Sequence, residues 1–134
     1  MSQVIIFSNS NGGVSTCIPT GELSIEAVLA KDCPKGAIIV DSAALPNQHN
    51  DFYEAWELID GKVEVSFPKA VELTKARLRA ERTPLLAAQD VAFQRALEEG
   101  ADTTAIVAEK QRLRDITNIT ATTLDELRAL KAEV

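Results

Sequence analysis

The chain has 134 residues, a net charge of −6 and 46% hydrophobic residues, which is enough for one modest domain or two small ones. No apolar run approaches the roughly 18 residues of a membrane-spanning helix, so we expect neither a membrane span nor an export signal. Cys17 and Cys33 are too few for a disulfide framework, and we expect both to be reduced thiols.

The first half of the chain carries the whole net charge of −6. Three basic and nine acidic residues occur up to Phe67, whereas eleven of each follow from Pro68 onward. An acidic first half repels nucleic acids and anionic membrane surfaces. We therefore expect neither as a partner.

The first half shows short strand patterns separated by turn residues. Gln3–Ser8 and Val14–Ile18 have the composition of strands, and Asn9–Gly13 between them favours a hairpin turn. Ser24 is a suitable N-cap for a short helix over Ile25–Lys31. This part of the chain is predicted to be β-rich with one short helix.

The next segment predicts a buried strand and a second hairpin. The strand spans Ala37–Val40, and Phe52–Leu58 leads into the turn Asp60-Gly61. Lys62–Val65 returns from that turn as a strand. We place the end of this subdomain at residue 67.

The second half, residues 68–134, is rich in Ala, Leu, Glu, Arg and Lys and is predicted to be helical. The first helix should cover residues 69–99, with Gly100 as its stop. Pro84 should kink this helix or break it in two, because proline removes a backbone donor. Shorter helices should follow over 103–116 and 124–131.

Two local signals place the starts of these shorter helices. Asp102 is the expected cap of the first, and Thr123–Glu126 forms a capping box for the second. Short connections make consecutive helices antiparallel neighbours. The predicted fold class is therefore α+β, with a helical hairpin or arm after a small β-rich subdomain.

No catalytic, cofactor or metal site is predicted. The Gly-rich segment Asn9–Gly13 lacks the Lys-Ser/Thr pair of a phosphate-binding loop. His49 is the single histidine and has no identifiable nucleophile beside it in the sequence. Asp41 and Asp51 do not form a calcium-loop pattern. We expect the protein not to be an enzyme.

Two ordered sets of residues resemble proteins encoded in the tail modules of tailed bacteriophages. The first set is Leu23-Ser24-Ile25-Glu26, Lys31-Asp32-Cys33-Pro34-Lys35-Gly36, Ile39-Val40-Asp41, Leu45-Pro46, and Phe52 followed by Ala55-Trp56-Glu57. The second set is Arg79, Arg82-Thr83-Pro84-Leu85-Leu86-Ala87-Ala88-Gln89-Asp90, Arg95-Ala96, and Gln111-Arg112-Leu113-Arg114-Asp115-Ile116. The second set is similar to the tail assembly chaperone family, and both sets together cover most of residues 20–117.

The resemblance implies a non-enzymatic tail or tail-fibre assembly protein, a chaperone that binds a tail or fibre protein. The alternative it leaves open is a structural virion component of the tail tip, baseplate or fibre attachment. The implied location is the host cytoplasm during phage assembly, or the virion tail, and homo-oligomers are compatible with both.

Five residues are our candidates for contact with the partner. They are the aromatic residues Phe52, Tyr53 and Trp56, because exposed aromatic side chains dominate interfaces, and Arg79 and Arg82 in the helical arm. The alternative for Phe52 and Trp56 is that they fill the small N-terminal core.

Overall fold

The computed structural model describes residues 2–133 and has an α+β fold, as predicted. The chain divides into two compact units, Met1–Ala70 and Val71–Val134. The first unit ends at Ala70 and not at the predicted residue 67, because the start of the long helix bonds to this unit. The Ser66 amide donates to the Ala55 carbonyl at 2.8 Å, and the Lys69 ammonium donates to the Gly12 carbonyl at 3.2 Å.

The first unit contains a three-stranded antiparallel sheet in the order β2-β1-β3. Its strands are β1 (Gln3–Ser8), β2 (Val14–Cys17) and β3 (Ile38–Asp41). The predicted hairpin between β1 and β2 is confirmed, and the Asn9 side chain accepts hydrogen bonds from the amides of Asn11 and Gly13. This Asx turn sets the register of the two strands.

A second hairpin packs on one face of this sheet. Its strands are β4 (Trp56–Ile59) and β5 (Lys62–Val65). Asp60 and Gly61 have φ of 50° and 79°, as a type I′ turn requires, so this predicted turn is also confirmed. The core between the sheets is the buried cluster of Val4, Ile6, Val14 and Trp56.

The opposite face of the sheet lies against α1 (Ile25–Asp32), which begins where the sequence predicts. The Ser24 hydroxyl accepts a hydrogen bond from the Ala27 amide at 3.2 Å. Two short 3-10 turns within Asn47–Ala55 connect β3 to β4, with non-helical backbone between them at His49 and Phe52.

The second unit is helical. Its elements are α2 (Phe67–Glu99), of which the first turn belongs to the first unit, α3 (Thr104–Arg114), a 3-10 turn over Asp115–Thr117, and α4 (Leu124–Ala129). The capping box at the start of α4 is confirmed, because the Thr123 hydroxyl accepts from the Glu126 amide at 3.1 Å. The helix ends at Ala129, two residues before the predicted end.

The predicted break at Pro84 is not observed, because α2 continues through this residue. A proline inside a helix costs about 3 kcal/mol, since one backbone hydrogen bond is missing. Side chains on both sides of Pro84 bond to α3. Arg82 bonds to the carbonyl of Arg114 at 3.0 Å, and Asp90 pairs with Lys110 at 2.6 Å.

The cap of α3 differs by one residue from the prediction. The N-cap position is Thr103, whose side chain makes no capping bond. The Asp102 carboxylate instead accepts from the Thr104 hydroxyl at 2.7 Å and from the Thr104 amide at 3.0 Å, and these bonds lower the pKa of Asp102. Asp102 therefore still binds the first turn of the helix, although it lies one residue before the N-cap.

Candidate protein-binding surface

The structure places Phe52 and Trp56 in the core of the first unit, not on its surface. Their side chains are 6% and 2% exposed. The Trp56 indole donates to the His49 carbonyl at 3.2 Å, so its polar atom is also satisfied inside the unit. The prediction that these two aromatics contact a partner is corrected: they hold the first unit together.

Tyr53 is the one predicted aromatic contact that reaches the surface, with 38% exposure. Its hydroxyl donates to the Val14 carbonyl at 2.6 Å and lies 3.5 Å from the Thr16 hydroxyl. Its ring centroid is 4.8 Å from that of Trp56. The side chain is therefore fixed at both ends beside β2, and a rigid ring loses little entropy when a partner covers it.

The most exposed large apolar side chain of the described residues follows directly after β2. Ile18 is 73% exposed, and Leu23 in the same connection is 48% exposed. Both line an open cleft of about 250 Å³ together with Cys17, Pro19, Thr20, Glu22, Val28 and Asp32. We call Ile18, Leu23 and Tyr53 the β2-end surface.

Sequence reasoning missed Ile18 and Leu23. The alternation over Val14–Ile18 is typical of a half-buried strand and predicts a strand that includes Ile18. The strand ends at Cys17, so the alternation no longer governs the next residue. Pro19, which cannot extend the ladder of backbone hydrogen bonds, was the available signal for that end.

Arg82 has a structural role within the helical unit. Its guanidinium donates to the carbonyls of Leu113 at 3.3 Å and Arg114 at 3.0 Å, which lie in the last turn of α3. A cation at this end of a helix also interacts favourably with the helix dipole. Arg79 is exposed, so of the two predicted arginines only Arg79 has a freely accessible head group.

Two further arginines bind backbone carbonyls near the C-terminal end of the chain. Arg77 donates to the Leu127 carbonyl at 3.1 Å, and Arg112 donates to the Ala132 carbonyl at 2.9 Å. Each also pairs with a carboxylate of its own helix, Glu81 for Arg77 and Glu109 for Arg112. These side chains connect α2 and α3 to the segment that contains α4.

Glu81 joins the same network through both of its carboxylate oxygens. One oxygen accepts from the Ala132 amide at 3.0 Å and the other from Arg77 at 2.7 Å. The bond from the Ala132 amide is the largest cause of a lowered Glu81 pKa, followed by the bond from Arg77. A lowered folded-state pKa means that the ionised carboxylate stabilises the folded chain.

We expect this contribution to be complete above the ordinary glutamate pKa of 4.5 and to be lost as the pH falls through the lower folded-state value. Urea unfolding followed by circular dichroism, at neutral pH and at a pH below 4.5, measures it. Glu81→Gln should lower the stability at neutral pH and weaken the loss in acid. Glu99→Gln, which removes an exposed carboxylate of the same helix, is the matched control. Equal acid dependence in wild type and Glu81→Gln contradicts the assignment.

Residues 2–133 contain neither a metal-ligand cluster nor a helix that could span a membrane. No group of three or more His, Cys, Asp or Glu side chains is arranged to hold a metal ion in this part of the chain. Every helix in the same range is too short or too polar to cross a bilayer.

Comparisons of the chain with protein families, curated proteins and solved structures found no match.

Proposed function

We propose that this protein is a non-enzymatic assembly protein of a tailed bacteriophage, which binds a tail or tail-fibre protein before it is incorporated. The observation that carries the proposal is the direct bond between two segments of the resemblance. Arg82 in the first helical segment donates to Leu113 and Arg114 in the closing segment, which lie 31 and 32 residues later. This contact brings the two helical segments of the resemblance together in one helical hairpin.

The motif residues of the first unit also have structural roles. Phe52, Ala55 and Trp56 are at most 6% exposed, and Val40 and Leu45 pack against the buried cluster that contains Trp56. The resemblance therefore rests on residues that specify the fold. In this proposal the partner is bound by side chains other than these buried motif residues.

The β2-end surface is the binding site in this proposal. Ile18 and Leu23 offer exposed aliphatic surface, and Tyr53, bonded to the Val14 carbonyl of β2, offers a rigid aromatic ring. Burying apolar surface contributes about 25 cal/mol for each Å² removed from water, and aromatic anchors often dominate such contacts. The partner is an unassembled tail or fibre protein in the host cytoplasm, whose apolar assembly surface is covered until it enters the tail.

The proposal is tested by purifying the protein from infected cells and by analysing purified phage particles. An affinity-tagged copy is expected to co-purify with a tail or fibre protein from infected cells and to be absent from purified particles, as judged by quantitative mass spectrometry. Presence in particles at a fixed multiple of three or six per tail would instead establish the structural component and overturn the transient role. Binding to neither tail nor fibre proteins overturns both.

Substitutions then locate the contact. Ile18→Asp should reduce the co-purified tail or fibre protein about tenfold, which corresponds to roughly 1.4 kcal/mol of binding free energy. Val107→Asp is the matched control, because it also charges an exposed apolar side chain, 49% exposed, but in the helical unit. Equal loss in the two variants, or none in either, assigns the contact elsewhere.

A further inference from the structure

The strand register places Cys17 on the face of the sheet that α1 covers. Cys17 is paired with Ile5, which is also paired with Ile39 on the other side. Directly paired residues of neighbouring strands have side chains on the same face. Ile5 is fully buried and lies on the face opposite to Val4 and Ile6, because side chains alternate along a strand.

The second cysteine stands at the end of α1. Cys33 is the C-cap of this helix, directly after Asp32. Asp32, Val28 and Cys17 line the same cleft, so the last turn of α1 and the end of β2 meet there. The Cys17 thiol lies close enough to Cys33 to raise its pKa. Both cysteines are half-buried and neither is in a disulfide, so both are reduced and partly accessible to small molecules.

We propose that Cys17 and Cys33 form a modification site: a dithiol that a small-molecule disulfide converts to an intramolecular disulfide. This inference goes beyond the proposed function and does not depend on it. In the first step one thiolate attacks the small disulfide, which forms a mixed disulfide and releases one small thiol. In the second step the other thiolate attacks the protein sulfur of that mixed disulfide, releases the second small thiol and closes the Cys17–Cys33 bond. The protein loses two electrons and two protons, and the small disulfide is reduced to two thiols.

The new bond would close a ring that contains the connection from β2 to α1 and all of α1. Ile18 and Leu23 both belong to this ring, so oxidation would restrict the segment that carries these two exposed side chains. Burial, the Cys17 thiol and the Asp32 carboxylate raise the pKa of Cys33. A raised pKa lowers the fraction of thiolate, so we expect the exchange to be slower than that of an unperturbed cysteine.

The full-length chain tests the proposal in mixtures of oxidised and reduced glutathione. Intact mass spectrometry should show the loss of two hydrogens without a glutathione adduct, and peptide mapping should find Cys17 joined to Cys33. Dithiothreitol should restore both thiols. A chain that keeps two thiols, carries stable glutathione adducts at both, or forms only disulfide-linked dimers overturns the proposal.

Single variants test whether the two thiols act on each other. In Cys17→Ser or Cys33→Ser the remaining cysteine has no partner to displace glutathione, so the mixed disulfide should accumulate at least tenfold above the wild-type level. The oxidised wild type should also melt at least about 4 °C above the reduced form, while neither variant shows this shift. Equal adduct levels in wild type and variants contradict the proposal. The wild-type peptide map decides the question even if a variant fails to fold.

Discussion

Replacing Ile6 by alanine is expected to lower the free energy of unfolding by about 2–5 kcal/mol. Ile6 is fully buried in the cluster with Val4, Val14 and Trp56, between the three-stranded sheet and the β4–β5 hairpin. Its removal loses the transfer free energy of the side chain and leaves a cavity among residues of two sheets. In a protein with a total stability of about 5–15 kcal/mol this is a large fraction.

Trp56 provides the measurement, because it is the single tryptophan and belongs to the same cluster. Urea titration followed by its fluorescence reports the unfolding of the first unit. Ile18→Ala is the matched control: it makes the same chemical change at a side chain that is 73% exposed, so we expect an effect within about 0.5 kcal/mol. Similar losses in the two variants would contradict the assignment of the core.

In the helical unit, Leu113→Ala is expected to cost about 2–5 kcal/mol. Leu113 is 1% exposed, near the end of α3, and its carbonyl accepts a hydrogen bond from Arg82. Loss of the side chain removes apolar contacts at the position where Arg82 of α2 bonds to α3. The effect should therefore combine lost burial with a weaker Arg82 contact.

Circular dichroism at the helical band measures this change, since the second unit is built from helices. Leu97→Ala is the control, because it removes the same atoms from a side chain that is 55% exposed. We expect Leu97→Ala to change the unfolding free energy by less than about 0.5 kcal/mol. If Leu97→Ala destabilised the chain as much as Leu113→Ala, burial would not explain either value.

The elements that sequence analysis predicted well depend on residues a few positions apart. The Asn9 turn, the Asp60-Gly61 turn and the Ser24 cap are all present. The Thr123–Glu126 capping box is present as well. Each is a local contact whose geometry follows from the side chain and its immediate backbone, so no distant residue is needed to specify it.

The misjudged features depend on distant contacts. Pro84 signals a break, but α2 continues through it, and Arg82 and Asp90 bond to α3 on either side of it. Trp56 and Phe52 are residue types that are common at interfaces, but the packing of the first unit buries them. Ile18 and Leu23, two of the three residues of the β2-end surface, were absent from the sequence prediction.

The amino-acid sequence by itself therefore determined the α+β class, the two hairpins, the starts of α1 and α4, and the change from strands to helices near residue 67. Periodicity, turn residues and caps depend on residues a few positions apart, so the local sequence specifies them. Only the tertiary structure decided which apolar side chains face solvent, that Arg82 bonds to the end of α3, and that Cys17 meets Cys33. These outcomes depend on strand register and helix packing, which bring together residues 16 to 32 positions apart.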